Sequence, residues 1–197
     1  MKKYKHITAV SCRHLLLLAM TLLVSCGAEN EYSNRSACYF RFDNSVHQDN
    51  TLSTALGGMG TFCYIYQKAY NGADCIFFEN NQSLSSYKVK NAVDQRQTIE
   101  LGLNNGIIVG CSNLNFDDSG NPILYAYDHQ CPNCSEGASI YKFPLTMTND
   151  GKAKCAKCGR IYDMNNGGIV ISGSGNKMLR YHATCMGGAL GILIVSN

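Results

Sequence analysis

Two Cys-x-x-Cys pairs, Cys131-Pro132-Asn133-Cys134 and Cys155-Ala156-Lys157-Cys158, carry the most explicit chemistry in this 197-residue chain. A Cys-x-x-Cys places two sulfurs on one tight turn, where both reach the same ion. Two such turns, brought together by the strands between them, make a tetrahedral four-thiolate site for zinc or iron. The same four residues could instead close as two small disulfides, or bind with one pair and oxidise with the other. Lys152, Lys154, Lys157 and Arg160 surround the second pair. Cations there stabilise thiolates, although a solvated basic hairpin accounts for them equally well.

The segments that must position these pairs read as strands. Short apolar or alternating runs recur at 38–42, 61–70, 74–79, 106–111, 123–128, 140–145, 151–155, 168–173, 178–183 and 189–195. Turn signals separate them, among them Asn71-Gly72, Asn105-Gly106, Asp118-Ser119-Gly120-Asn121-Pro122, Asn149-Asp150-Gly151 and Asn166-Gly167-Gly168. Aromatic and β-branched residues fill the runs, as pleated surfaces prefer. Helical periodicity never lasts beyond a turn or two; the short segment 52–56 is the best helix candidate. The expectation is a single all-β domain, an antiparallel sandwich or small barrel, with a zinc-ribbon-like metal-binding subdomain over about 129–167.

The first residues bear on location. Lys2, Lys3, Lys5 and Arg13 form a leader free of acidic residues, followed by a ten-residue apolar run, 15–24, broken only by Thr21. That run is too short for a permanent span and reads as an export signal. It closes on Leu23-Val24-Ser25-Cys26, the lipobox order of apolar, small, small, cysteine. Residues 1–25 are therefore expected to be a lipoprotein signal peptide. Cys26 is expected to be the lipidated residue that ties the chain to a bacterial envelope membrane, on the periplasmic side of an outer membrane or the cell surface. Residues 26–37 are a polar tether and 38–197 the β domain. Four of the 17 basic residues leave with the leader, so 13 face 14 acidic residues and the net charge falls from +3 to −1. No sustained basic patch remains, which argues against nucleic acid as a partner. With Cys12 in the leader and Cys26 acylated, Cys38, Cys63, Cys75, Cys111 and Cys185 are left beside the two pairs. Five cannot pair completely; an oxidising compartment allows one or two disulfides, but their apolar, strand-like settings favour free, buried thiols.

The cysteine motifs sit in a longer pattern. From Cys155 the chain runs Cys-Ala-Lys-Cys-Gly-Arg-Ile-Tyr-Asp, then Gly167-Gly168, Ser172-Gly173 and Leu179-Arg180-Tyr181, while Ala126-Tyr127-Asp128 leads into Cys131-Pro132. Over 123–181 this resembles the cluster-binding part of Rieske domains, and the resemblance implies a Rieske-like β fold and an iron–sulfur cluster. The departures fall on the ligands. A Rieske centre needs two histidines on one iron. Asn133 stands where the first would be and Cys158 where the second would be, and Ser174 replaces the proline of the Ser-Gly-Pro segment. His129 and His182 lie at the wrong positions to substitute. Four cysteines on such a scaffold suit a structural zinc ion, with a 2Fe–2S cluster or a single iron as alternatives.

Other chemistry fails on spacing. Gly173-Ser174-Gly175 lacks the Gly-x-Ser-x-Gly elbow, and Asp117-Asp118-Ser119-Gly120-Asn121 lacks the later glutamate of a calcium loop and reads as a hairpin turn. Tyrosine pairs such as Tyr64/Tyr66 and Tyr125/Tyr127 mark sheet faces. Catalytic activity is not expected. Three classes remain: a tethered domain with a structural metal, a tethered electron carrier, and a dithiol redox protein.

Overall fold

The structure is a computed structural model that describes residues 31–197; the expected leader and Cys26 lie outside the described residues. In chain order the elements are β1 (Cys38–Asp43), α1 (Asn44–His47), α2 (Asn50–Gly57), β2 (Phe62–Tyr70), β3 (Ala73–Asn80), β4 (Ser85–Val89), β5 (Glu100–Leu101), β6 (Gly106–Phe116) and β7 (Pro122–Asp128). There follow α3 (Pro132–Ser135), β8 (Leu145–Met147), β9 (Lys152–Cys155), β10 (Ile161–Asp163), β11 (Ile169–Ser172), β12 (Arg180–Met186) and β13 (Ile192–Ser196).

The strands form two antiparallel sheets. One has nine strands in the order β4-β3-β2-β6-β7-β12-β13-β1-β5 and curls into a half-barrel; the other has four, β11-β10-β9-β8. The all-β expectation holds. Turn chemistry explains the best-defined hairpin: Asn71 and Gly72 both take positive φ, 51° and 78°, as the tight turn between β2 and β3 requires. The short α2 begins at Asp49, whose carboxylate accepts the Leu52 N–H at 2.9 Å, and it buries Thr51, Leu52, Ala55 and Leu56.

Two apolar clusters share the larger sheet. Inside its curl lie Phe40, Phe42, Leu52, Ile65, Phe78 and Val109, with others. On the opposite face, Phe62, Ile108, Tyr127, Tyr162, Met164 and Met178 pack between the two sheets together with Cys131 and Cys155. Because β6 is covered on both faces, 106–112 reads as one unbroken buried run rather than an alternating one. In β7, Ala126 faces the first cluster while Tyr125 and Tyr127 face the second, the period-two alternation of a strand. The second cluster thus presses the four-stranded sheet, and its cysteines, onto the first sheet.

Two expectations shift, and strands β4 and β10 were not expected. The run 140–145 is not a strand: Ile140 is exposed, Pro144 makes only an isolated bridge to Gln130, and β8 begins at Leu145. Proline lacks the N–H that a ladder needs. The segment expected at 178–183 starts at Arg180, because Met178 turns into the second cluster and donates its N–H to Gly168 O at 2.9 Å. Strands β4 and β10, which are short and polar or only three residues long, carry too little apolar pattern to stand out. All five of the remaining cysteines lie in strands as free thiols.

Candidate metal centre

Each cysteine pair is set on a tight turn at the end of a strand. Cys131 follows β7 and precedes α3, where Pro132 occupies the first turn and needs no hydrogen-bond partner for its nitrogen. The Cys131 N–H is tied to Phe143 O at 2.8 Å, and the Ser135 N–H returns to Cys131 O at 3.0 Å. The second turn joins β9 to β10. Here the Cys155 N–H bonds Arg160 O at 3.0 Å and the Gly159 N–H bonds Cys155 O at 2.9 Å. Gly159 has φ +72°, a left-handed conformation that costs glycine little.

These turns bring the four sulfurs of Cys131, Cys134, Cys155 and Cys158 within 4.8 Å of one another. Two contacts cross between the pairs: Cys131 Sγ to Cys158 Sγ is 3.8 Å, and Cys134 Sγ to Cys155 Sγ is 3.9 Å. An ion held by four sulfurs at about 2.3 Å spaces them about 3.8 Å apart along each edge of the tetrahedron. The spacing therefore fits a metal ion. It is also far too long for a disulfide, whose sulfurs lie at about 2 Å. Cys131 and Cys155 are buried, whereas Cys134 and Cys158 are half-buried.

The surrounding donors act on the thiolates unequally. Burial, first, and the neighbouring thiols push Cys134 up. Burial also raises Cys155, opposed by the N–H groups of Cys158 and Lys157. At Cys158 burial is overcome by the backbone N–H and guanidinium of Arg160, which bring it down to about 6. Of the four basic residues around the second pair, Arg160 is thus the one whose charged side chain acts directly on a sulfur. Lys152 instead pairs with Asp150.

A third loop closes over the turns. Asn133 donates to Asn176 O at 2.8 Å and accepts the Asn176 N–H at 2.8 Å, while Arg160 Nε donates to Ser174 O at 2.5 Å. A Cβ on Gly175 would stand 2.2 Å from Asn133 Oδ1, so this close approach depends on glycine there. Asn133 also donates to the Tyr162 hydroxyl at 3.0 Å, and that hydroxyl lies 3.1 Å from Cys131 Sγ. With the Asn133 amide donating to its oxygen, the hydroxyl is free to donate its own proton to the sulfur.

Cys-x-x-Cys spacing marks the four cysteines but not the contacts of Asn133, Tyr162 and Asn176. Tyr162 was visible only as half of an aromatic-Asp pair four residues after Cys158. Neither histidine joins the sulfurs. The ring of His129 stacks on Tyr64 at 3.8 Å, and its burial pushes it down to about 4, so it is neutral. His182 stacks on Tyr32 at 3.5 Å. Behind the first turn, Asp128 is fully buried and accepts from Leu103 N, Gln130 N and the Tyr181 hydroxyl, each at 2.7 Å.

Fold and site together define an all-β protein with a four-cysteine cluster that could hold a metal ion. No protein-family model, curated protein or solved structure matches the chain.

Proposed function

We propose that this chain is a lipid-anchored bacterial envelope protein whose Rieske-like β domain holds one zinc ion through Cys131, Cys134, Cys155 and Cys158, in a structural and binding role without catalysis. The observation that carries the reading is the pair of 3.8 and 3.9 Å contacts between the two Cys-x-x-Cys turns. A single ion makes all six sulfur–sulfur separations alike. A 2Fe–2S cluster spreads its four sulfurs over two irons and holds those on different irons further apart than the 4.8 Å that spans all four here, which favours one ion. Four thiolates leave no open position for substrate or water, which suits a structural zinc. The Rieske-like reading is supported by the meeting of the three segments that carry the resemblance: the two cysteine turns and the loop after Ser172. The anchor at Cys26 rests on the lipobox, and partners beyond the membrane have no signature in the chain.

A second reading has its own support. A single iron in the same cage would exchange electrons, and the Tyr162 hydroxyl at Cys131 Sγ is the kind of contact that adjusts a thiolate-bound iron's potential.

Cys155→Ser and Cys158→Ser test the site. Each is expected to lose the metal and to destabilise the protein by more than about 4 kcal/mol, since metal binding here is folding free energy. Unchanged metal content and melting temperature in both variants would remove the site. Mass spectrometry of the chain from its native membrane tests the anchor: a diacylglycerol on Cys26, lost in Cys26→Ala, is expected, and a chain starting elsewhere contradicts it.

A further inference from the structure

We propose that the end of the domain holding the cysteine turns faces the membrane, with the loop 136–144 seated among the lipid headgroups. The inference rests on the anchor reading at Cys26 and adds which surface that anchor presents to the bilayer.

Residues 32–37 carry the argument. Expected as part of a polar tether, they are instead stitched to one end of the β domain. The Tyr32 ring stacks on His182 at 3.5 Å, with the Arg180 guanidinium 5.1 Å from its centre. The Ser33 N–H bonds Arg180 O at 2.7 Å, and the Asn197 amide donates to Ser33 O at 3.2 Å and Ser36 O at 2.7 Å. The Arg35 guanidinium donates to Ser135 O, at the close of α3 and so of the first cysteine turn. Only the stretch from Tyr32 back to Cys26 can then separate this end from the lipid. The two residues are six positions apart, and six residues at full extension span about 20 Å at most. A folded unit of this size has a radius of gyration of about 15 Å and is about 40 Å across. The bilayer therefore lies against the half of the domain where Tyr32 and Arg35 dock.

The loop 136–144 belongs to that half. It leaves the first cysteine turn at Ser135, beside Arg35, and returns to it where the Cys131 N–H bonds Phe143 O at 2.8 Å. Its tip runs Ser139-Ile140-Tyr141-Lys142, outside any strand or helix. Among the described residues Ile140 is 62% exposed; Lys142 is exposed and Tyr141 half-buried. An aliphatic side chain, an aromatic ring with a polar tip and a lysine in succession suit the boundary between acyl chains and headgroups, where each settles at its own depth. Exposed apolar side chains also occur at the opposite end, Met186 closing β12 and Leu190 in the turn after it. From Arg180, where the tether docks, β12 runs away for seven residues, about 20 Å. Those side chains consequently point away from the lipid.

The chain contains no tryptophan, so Ile140→Trp and Leu190→Trp each introduce a single reporter at an exposed position. The full lipidated chain is placed in vesicles of phosphatidylethanolamine and phosphatidylglycerol, with acyl chains brominated near the headgroup or left plain. Bromine should lower the emission of Ile140→Trp at least about twofold and leave Leu190→Trp unchanged. Circular dichroism matching the parent chain shows that both variants keep the fold. Flotation of the vesicles, with and without Cys26→Ala, reads the anchor separately. Flotation that depends on Cys26 beside an unquenched Ile140→Trp would keep the anchor and overturn the orientation. Quenching at Leu190→Trp equal to or greater than that at Ile140→Trp overturns it as well. A chain that floats no better than Cys26→Ala contradicts the anchor, and the orientation falls with it.

Discussion

At the scale of single residues, the cysteines depend on neighbours that carry no metal-binding signature of their own. Tyr162 stands between Cys131 Sγ and the Asn133 amide, and Asn133 in turn holds the loop at Asn176. Tyr162→Phe removes one hydroxyl from this chain of contacts and strands one amide proton. It is expected to cost about 1–2 kcal/mol in denaturant unfolding while keeping the metal. Loss of the metal in that variant would make Tyr162 essential to the site rather than a support for it. Asp128 offers a test by pH. Burial pushes its carboxyl up, and the N–H groups of Leu103 and Gln130 and the Tyr181 hydroxyl only partly pull it back. A carboxyl raised in the folded state binds more protons there than in the unfolded chain, so its contribution to stability falls as pH climbs through the folded-state value. Tyr181→Phe removes a donor that favours the carboxylate and raises that value further. Its destabilisation, about 1–3 kcal/mol at neutral pH, should shrink on acidification below the carboxylate range. A loss that is constant with pH would mean that Asp128 does not feel Tyr181.

At the scale of elements, the four-stranded sheet is the part that an ion held by the four cysteines would support most. Its strands are three or four residues long, and both cysteine turns tie into it, through Cys155 at the end of β9 and through Gln130 and Cys131 beside the segment that enters β8. Strands this short bury little by themselves. Chelation is expected to speed amide exchange across β8–β11 and the loop 173–177 by at least about tenfold, while β2, β3 and β6 keep their protection. Uniform protection before and after chelation would show that packing, not metal, holds the smaller sheet. The same contrast explains what was legible in the sequence. The long strands β2, β3 and β6 announced themselves because apolar runs and Asn71-Gly72 punctuation coincide with burial. Strand β4 did not, since Ser85-Ser86-Tyr87-Lys88-Val89 at a sheet edge has one face open and few core contacts to impose a pattern. The run 140–145 misled because Ile140, Tyr141 and Phe143 imitate a strand, whereas Pro144 and the anchoring of the cysteine turn decide the path. Cys-x-x-Cys spacing made the ligands readable. The long-range partners Asn133–Asn176 and Asp128–Tyr181 were not, because no local pattern encodes a contact across forty or more residues.

At the scale of the whole molecule, residues 32–197 form one compact unit in which two apolar clusters share β6 and β7. The first cluster builds the half-barrel; the second fastens the cysteine-bearing sheet to its outer face. Cys131 and Cys155 belong to that second cluster, so the candidate metal site is a continuation of the core rather than an appendage to it. Among the described residues, the other five cysteines sit in strands as small apolar residues, and the clustered thiols meet in one place. We propose that this place holds one metal ion and that the ion is zinc. Elemental analysis of the protein purified anaerobically without chelator, read beside its visible spectrum, tests it most directly. About one zinc per chain and no visible absorbance are expected. Iron with acid-labile sulfide, or no metal with four titratable thiols, would contradict it.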